Sequence, residues 1–96
     1  MSGLPQIQQL LAREKKHLID KYSIRSLAIF GSYSKGSATE LSDVDLLVDF
    51  EKPIGIQFID LADELESLLS VKVDLVSKSG IKDKYFEAIK NDLMYV

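Results

Sequence analysis

Hydrophobic positions recur along the chain with two different periods, and the changes of period divide it into elements. Ile7, Leu10, Leu11, Leu18 and Ile19 fall at helical spacing among Gln, Arg, Glu and Lys residues. With Pro5 tolerated in a first turn, this predicts a helix from about Pro5 to Lys21. Ser26 to Phe30 is a short run without helical period, read as a buried strand that stops at Gly31-Ser32. Gly31 to Ser42 is rich in Gly, Ser and Thr, hence a loop with room for one helical turn beginning near Ser32. From Asp43 to Phe50 the period is two: Asp43, Asp45, Leu47 and Asp49 point one way, Val44, Leu46, Val48 and Phe50 the other. Ile54, Phe58, Leu61, Leu65, Leu68 and Leu69 then mark a second amphipathic helix. Val71, Val73 and Leu75 alternate with Lys72, Asp74 and Val76 as a third strand, and Ile81, Tyr85, Phe86 and Ile89 mark a third helix before a short segment from Leu93 to Val96.

The order helix, two strands, helix, strand, helix predicts an α+β fold: a small mixed β-sheet with helices packed mainly on one face and the acidic face partly open. No repeat, low-complexity tract or linker interrupts it, so residues 1–96 are expected to form one domain.

Composition narrows the function. The chain has 96 residues, a net charge of −3 and no cysteine. A protein that grips a long nucleic acid neutralises several phosphates with Lys and Arg, so this balance argues against a DNA or RNA substrate. The lack of cysteine removes disulfides and thiolate metal sites and fits a cytoplasmic protein. No apolar run approaches a membrane span.

Chemistry concentrates between Gly31 and Asp45. Asp43 and Asp45, two apart on a strand, share a face with Cα atoms about 6.5–7 Å apart. Carboxylates so placed can converge on metal ions, and two hard cations roughly 3.5–4 Å apart clamp the attacking and leaving oxygens of a displacement at phosphorus. Oxygen ligands without His or Cys suit Mg²⁺ or Mn²⁺. Gly31 followed by a helical turn aims backbone N–H groups outward, which suits a phosphate, and Ser32 adds a hydroxyl donor. Lys35, one turn on, could supply charge to a triphosphate. Asp74 completes the set if its strand lies beside that of Asp43 and Asp45; it would then ligate the metal nearest the acceptor and help activate the acceptor hydroxyl.

Gly31-Ser32, the ten residues Tyr33 to Ser42, and Asp43-Val44-Asp45 resemble the signature of the minimal nucleotidyltransferases, small members of the DNA polymerase beta superfamily. The similarity runs on through Leu46 to Phe50 and to Val73–Val76, where the family carries its third aspartate. The resemblance implies the nucleotidyltransferase fold, two divalent ions (Mg²⁺, with Mn²⁺ possible), and transfer of a nucleoside monophosphate, AMP from ATP, with release of pyrophosphate. It also implies a partner: small stand-alone members are often encoded with a HEPN-domain toxin, as antitoxins, and in some pairs the antitoxin adenylylates a toxin tyrosine. Tyr33 stands where many relatives carry Arg, and Lys35 where Arg is common.

Other residues read more plainly. Asp49 lies two further positions along the strand and is expected at the surface. His17 is expected on the solvated side of the first helix, Tyr33 in a structural or neutral role, the leucine stripe of the second helix in the core, and Lys78, Lys82 and Lys84 in a solvated basic patch. Three alternatives remain open: a nucleotidyltransferase acting on a small hydroxyl compound, an antitoxin that neutralises its partner by binding alone, and a nucleic-acid polymerase, which charge and size disfavour.

Overall fold

The structure is a computed structural model that describes residues 3–39 and 42–96. Of the predicted loop from Gly31 to Ser42, Glu40 and Leu41 lie outside the described residues. Helix α1, Leu4–Tyr22, starts with Pro5 in its first turn and ends where Ser23 turns left-handed, its N–H donating to the Ile19 carbonyl. The stripe Ile7, Leu11, Leu18 and Tyr22 is buried. Strand β1, Ile24–Phe30, begins two residues earlier than the apolar run suggests: buried Ile24 pairs with Phe50 and Ser26 with Asp49, and the ladder shifts register between them at exposed Arg25. A single helical turn α2, Ser32–Lys35, follows Gly31. Then come β2, Val44–Phe50, α3, Gln57–Leu69, β3, Val73–Ser77, and α4, Asp83–Ile89. A 3₁₀ turn, Lys90–Asp92, leads into β4, Met94–Tyr95.

The sheet has the order β3-β2-β1-β4. β1 is antiparallel to β2 and to β4, whereas β2 and β3 are parallel. One face carries the main core: Leu27, Ile29, Val44, Leu46, Val48 and Val73 meet Ile7, Leu11 and Leu18 of α1 and Leu61, Leu65 and Leu69 of α3. Each such fully buried aliphatic side chain contributes about 1.5–3 kcal/mol through removal of apolar surface from water.

Helix α4 crosses the other face. Both β2–α3–β3 and β3–α4–β4 join parallel strands, but they travel across the sheet in opposite directions. The shared right-handed preference of such crossovers therefore puts their helices on opposite faces. The ring of Tyr85 on α4 meets that of Phe30 edge-on, with centroids 6.5 Å apart. Phe30 stands opposite Asp45, and Ala28 opposite Leu47, so all four share this second face. Leu47 is accordingly only 3% exposed, although it shares the acid-bearing face. The cover is thin, since no residue of α4 is fully buried.

Two acidic residues of α3 fix its neighbours. Glu64 accepts hydrogen bonds from Lys21 Nζ at 2.9 Å and Tyr22 Oη at 2.8 Å, and pairs with His17 Nε2 at 3.1 Å, tying α3 to α1. Glu66 Oε2 accepts the Val73 N–H at 2.9 Å, which fixes the start of β3 one residue before Asp74. No helix among the described residues is long and apolar enough to cross a membrane.

Candidate active site

The site is built where β1 ends and β2 and β3 begin. Antiparallel pairing sets Phe30 opposite Asp45, and parallel pairing sets Asp45 directly opposite Asp74. Asp45 therefore lies in the middle strand of three, with Asp74 on one side and the end of β1 on the other. Asp43 precedes the first β2 residue and is exposed, as is Asp74, whereas Asp45 is half-buried.

Gly31 closes the other side of Asp45. Its backbone sits at φ 74°, ψ −148°, a combination essentially confined to glycine. A Cβ added there would overlap Asp45 Oδ2 and stand 3.0 Å from Cγ. The sequence suggested glycine here for the approach of a ligand; the structure adds that the bare Cα is where the Asp45 carboxylate rests.

This crowding has an electrostatic consequence. The Asp45 carboxyl is held above the usual carboxylate range, first by burial, then by the negative charges of Asp74 and Asp43 and by a hydrogen bond with Asp74. Like charges at such separation cannot both ionise freely unless a cation offsets them.

Other candidates fall at various distances from this centre. Ser32 opens α2 and is half-buried, and its hydroxyl has no partner among the described residues. The first-turn N–H groups of α2 lack helical acceptors, as at any helix start. Lys35 is 58% exposed at its side chain, and its Nζ lies 3.7 Å from Asp92 of the 3₁₀ turn. Tyr33 is buried in the main core. Asp49 pairs with Arg25 at 3.6 Å, four residues along β2 from Asp45. His17 belongs to the Glu64 cluster. A hollow of about 460 Å³ lined by Phe50, Ile54, Phe58 and Ser77 lies at the far end of β2, away from the carboxylates.

Residues 11–95 match the nucleotidyltransferase domain family. The chain belongs to that family. It is similar over its whole length to protein adenylyltransferase MntA of Thermococcus cleftensis, with 42% identity over 97 residues covering 98% of that protein. A solved minimal nucleotidyltransferase superposes with a TM-score of 0.75 at 33% identity, covering 92% of this chain and 93% of the other. A solved complex of a tri-AMPylated Shewanella oneidensis HEPN toxin with an MNT antitoxin gives a TM-score of 0.67 at 24% identity, covering 92% and 70% of the two chains. At that identity the likeness is one of fold.

Nucleotidyltransferases generally use divalent metal ions. As the side chains stand, no group of three His, Cys, Asp or Glu residues among those described is arranged to hold one. The donor chemistry nevertheless fits: hard oxygen ligands on adjacent strands, one of them half-buried beside like charges that a dication would offset.

Two contributors escaped the sequence reading. Glu66 carries no motif, and its bond to the Val73 N–H depends on how α3 meets β3. Phe30 read only as the last residue of an apolar strand; its place opposite Asp45 follows from the register of β1 on β2.

Proposed function

We propose that this nucleotidyltransferase moves AMP from ATP to a tyrosine hydroxyl of a HEPN-type toxin and is the antitoxin of that pair. The observation that carries the reading is the position of Asp45, enclosed between the bare Cα of Gly31 and the carboxyl of Asp74. The backbone turn at Gly31 and the free hydroxyl of Ser32 would take the triphosphate. Lys35 would join them by giving up Asp92, an exposed pair of the kind worth little. Asp43, Asp45 and Asp74 would hold Mg²⁺ or Mn²⁺, which supplies charge neutralisation to the transferring phosphoryl group.

The acceptor oxygen attacks the α-phosphorus, the bond from that phosphorus to the bridging oxygen breaks, and pyrophosphate leaves with the electron pair. Asp74, on the side of Asp45 away from Gly31, faces the acceptor and draws off the hydroxyl proton. The partner follows from the resemblance and from the fold shared with the MNT antitoxin seen with an AMPylated HEPN toxin.

Incubation of the partner toxin with Mg²⁺ and ATP should add one or more AMP masses located on tyrosine by peptide mass spectrometry. An unmodified toxin that is still neutralised would favour control by contact, and AMP found on a small hydroxyl compound instead would move the acceptor.

A further inference from the structure

A nucleotide held at Gly31 and Asp45 extends beyond its phosphates, and its base needs a surface within reach. Only two aromatic side chains among the described residues are largely exposed, Tyr85 at 48% and Tyr95 at 61%. Tyr33, the aromatic that follows Gly31-Ser32 in sequence, is buried in the core and has no face to give. Tyr95 pairs opposite Ala28, two residues down β1 from Phe30 and further from Asp45. Tyr85 is braced edge-on against the buried ring of Phe30, and Phe30 stands directly opposite Asp45 on the same face. One side chain and one ring contact thus lead from the central carboxylate to an exposed aromatic ring. They lead in a defined direction: across β1, on the Gly31 side of Asp45, while Asp74 lies across β3 on the other. Beside the ring is an open hollow of about 350 Å³ whose other walls are Lys82, Lys84 and Ala88.

We infer that Tyr85 is the stacking platform for the nucleotide base, with the hollow beside it receiving that base and leaving the Asp74 side to the acceptor. The inference rests on the nucleotidyltransferase reading and deepens it. An aromatic ring stacks on any base because every base has a π-face, and the contact is worth enough to read in affinity. An exposed tyrosine would ordinarily be mobile; packing on Phe30 fixes the ring before the nucleotide arrives, which lowers the cost of ordering it.

Calorimetry with two ligands separates base from phosphates: Mg²⁺–ATP, and Mg²⁺–tripolyphosphate, which has no base. Tyr85→Leu keeps an apolar side chain against Phe30 and removes the π-face, and Tyr85→Phe keeps the ring. Tyr85→Leu should weaken ATP binding by about tenfold or more and leave tripolyphosphate affinity unchanged, while Tyr85→Phe binds both as the parent does. Unchanged ATP affinity in Tyr85→Leu would overturn the assignment. Equal losses for ATP and tripolyphosphate would do so too, because they would mark a structural role. A parent protein that binds neither ligand would instead remove the nucleotide site itself, and Tyr85 with it.

Discussion

Gly31 and Asp45 occupy one space: the carboxylate lies where any side chain on Gly31 would have to be. This close approach at the end of β1 therefore couples the turn at Gly31 to the central acid. Even Gly31→Ala should be severe. The added Cβ meets Asp45, and φ 74° with ψ −148° is strained for any residue with a side chain. Expected is loss of Mg²⁺–ATP binding together with lower thermal stability. A variant that binds and melts like the parent would break the coupling.

Asp45 also sets a pH dependence in the metal-free protein. Its folded-state pKa is raised by burial and by the charges of Asp74 and Asp43. A raised pKa means that the stability contribution is full below the unfolded value, about 3.9 for Asp, and is lost as pH rises through the folded value. Denaturant midpoints of chelator-treated parent protein should therefore fall across that window relative to those of Asp45→Asn. At neutral pH the variant should be the more stable of the two, and added Mg²⁺ should narrow the gap by stabilising only the parent. Parallel pH profiles for the two proteins would contradict this.

Glu64 works with the opposite sign. Hydrogen bonds from Lys21, then Tyr22 and His17, hold its carboxyl below the usual range. Its contribution is present above the unfolded value, about 4.3 for Glu, and is lost as pH falls through the folded one. Glu64→Ala removes the acceptor that ties α3 to α1 and should cost about 1–2 kcal/mol at neutral pH, since the Lys21 and His17 side chains are more than half exposed and only the Tyr22 bond is part-buried. The difference should shrink in acid. A chemical-denaturation series with a constant difference at all pH values would exclude the assigned role.

These contrasts indicate how far the sequence could be read. The period-two run through Asp43, Asp45, Leu47 and Asp49 gave β2 and its faces, because alternation is local and strong. The juxtaposition of Asp45 with Asp74 was conditional on β3 lying beside β2; the parallel connection through α3 supplies it. The rest depends on contacts between residues distant in the chain. β4 is two residues long and exists only because β1 offers an edge. Leu47 sits on the acid face yet is buried, because the crossover from β3 to β4 carries α4 over it. The direction of Lys35 toward Asp92, and the bond of Glu66 to the Val73 N–H, are likewise set by packing that no periodicity encodes.

Asp74 separates an enzyme from a binding module. It lies exposed at the start of β3, opposite Asp45, on the side of the site away from Gly31. On the proposed reading, a group there meets the acceptor more directly than the nucleotide. Asp74→Asn keeps the side-chain volume and removes the charge, so it should abolish transfer of AMP to the partner while Mg²⁺–ATP affinity falls only modestly. It should also lower the Asp45 pKa, because one of the charges that raises it is gone. Titration of Asp45 by NMR in the metal-free variant reads that shift without any catalytic assay. Mass spectrometry of the partner reads transfer, and a growth assay of partner and variant expressed together reads neutralisation. Loss of transfer and of neutralisation together is the outcome expected of an antitoxin that acts by modification. Neutralisation that survives without any added AMP would show that contact with the partner suffices, and would take from Asp74 the role given to it here.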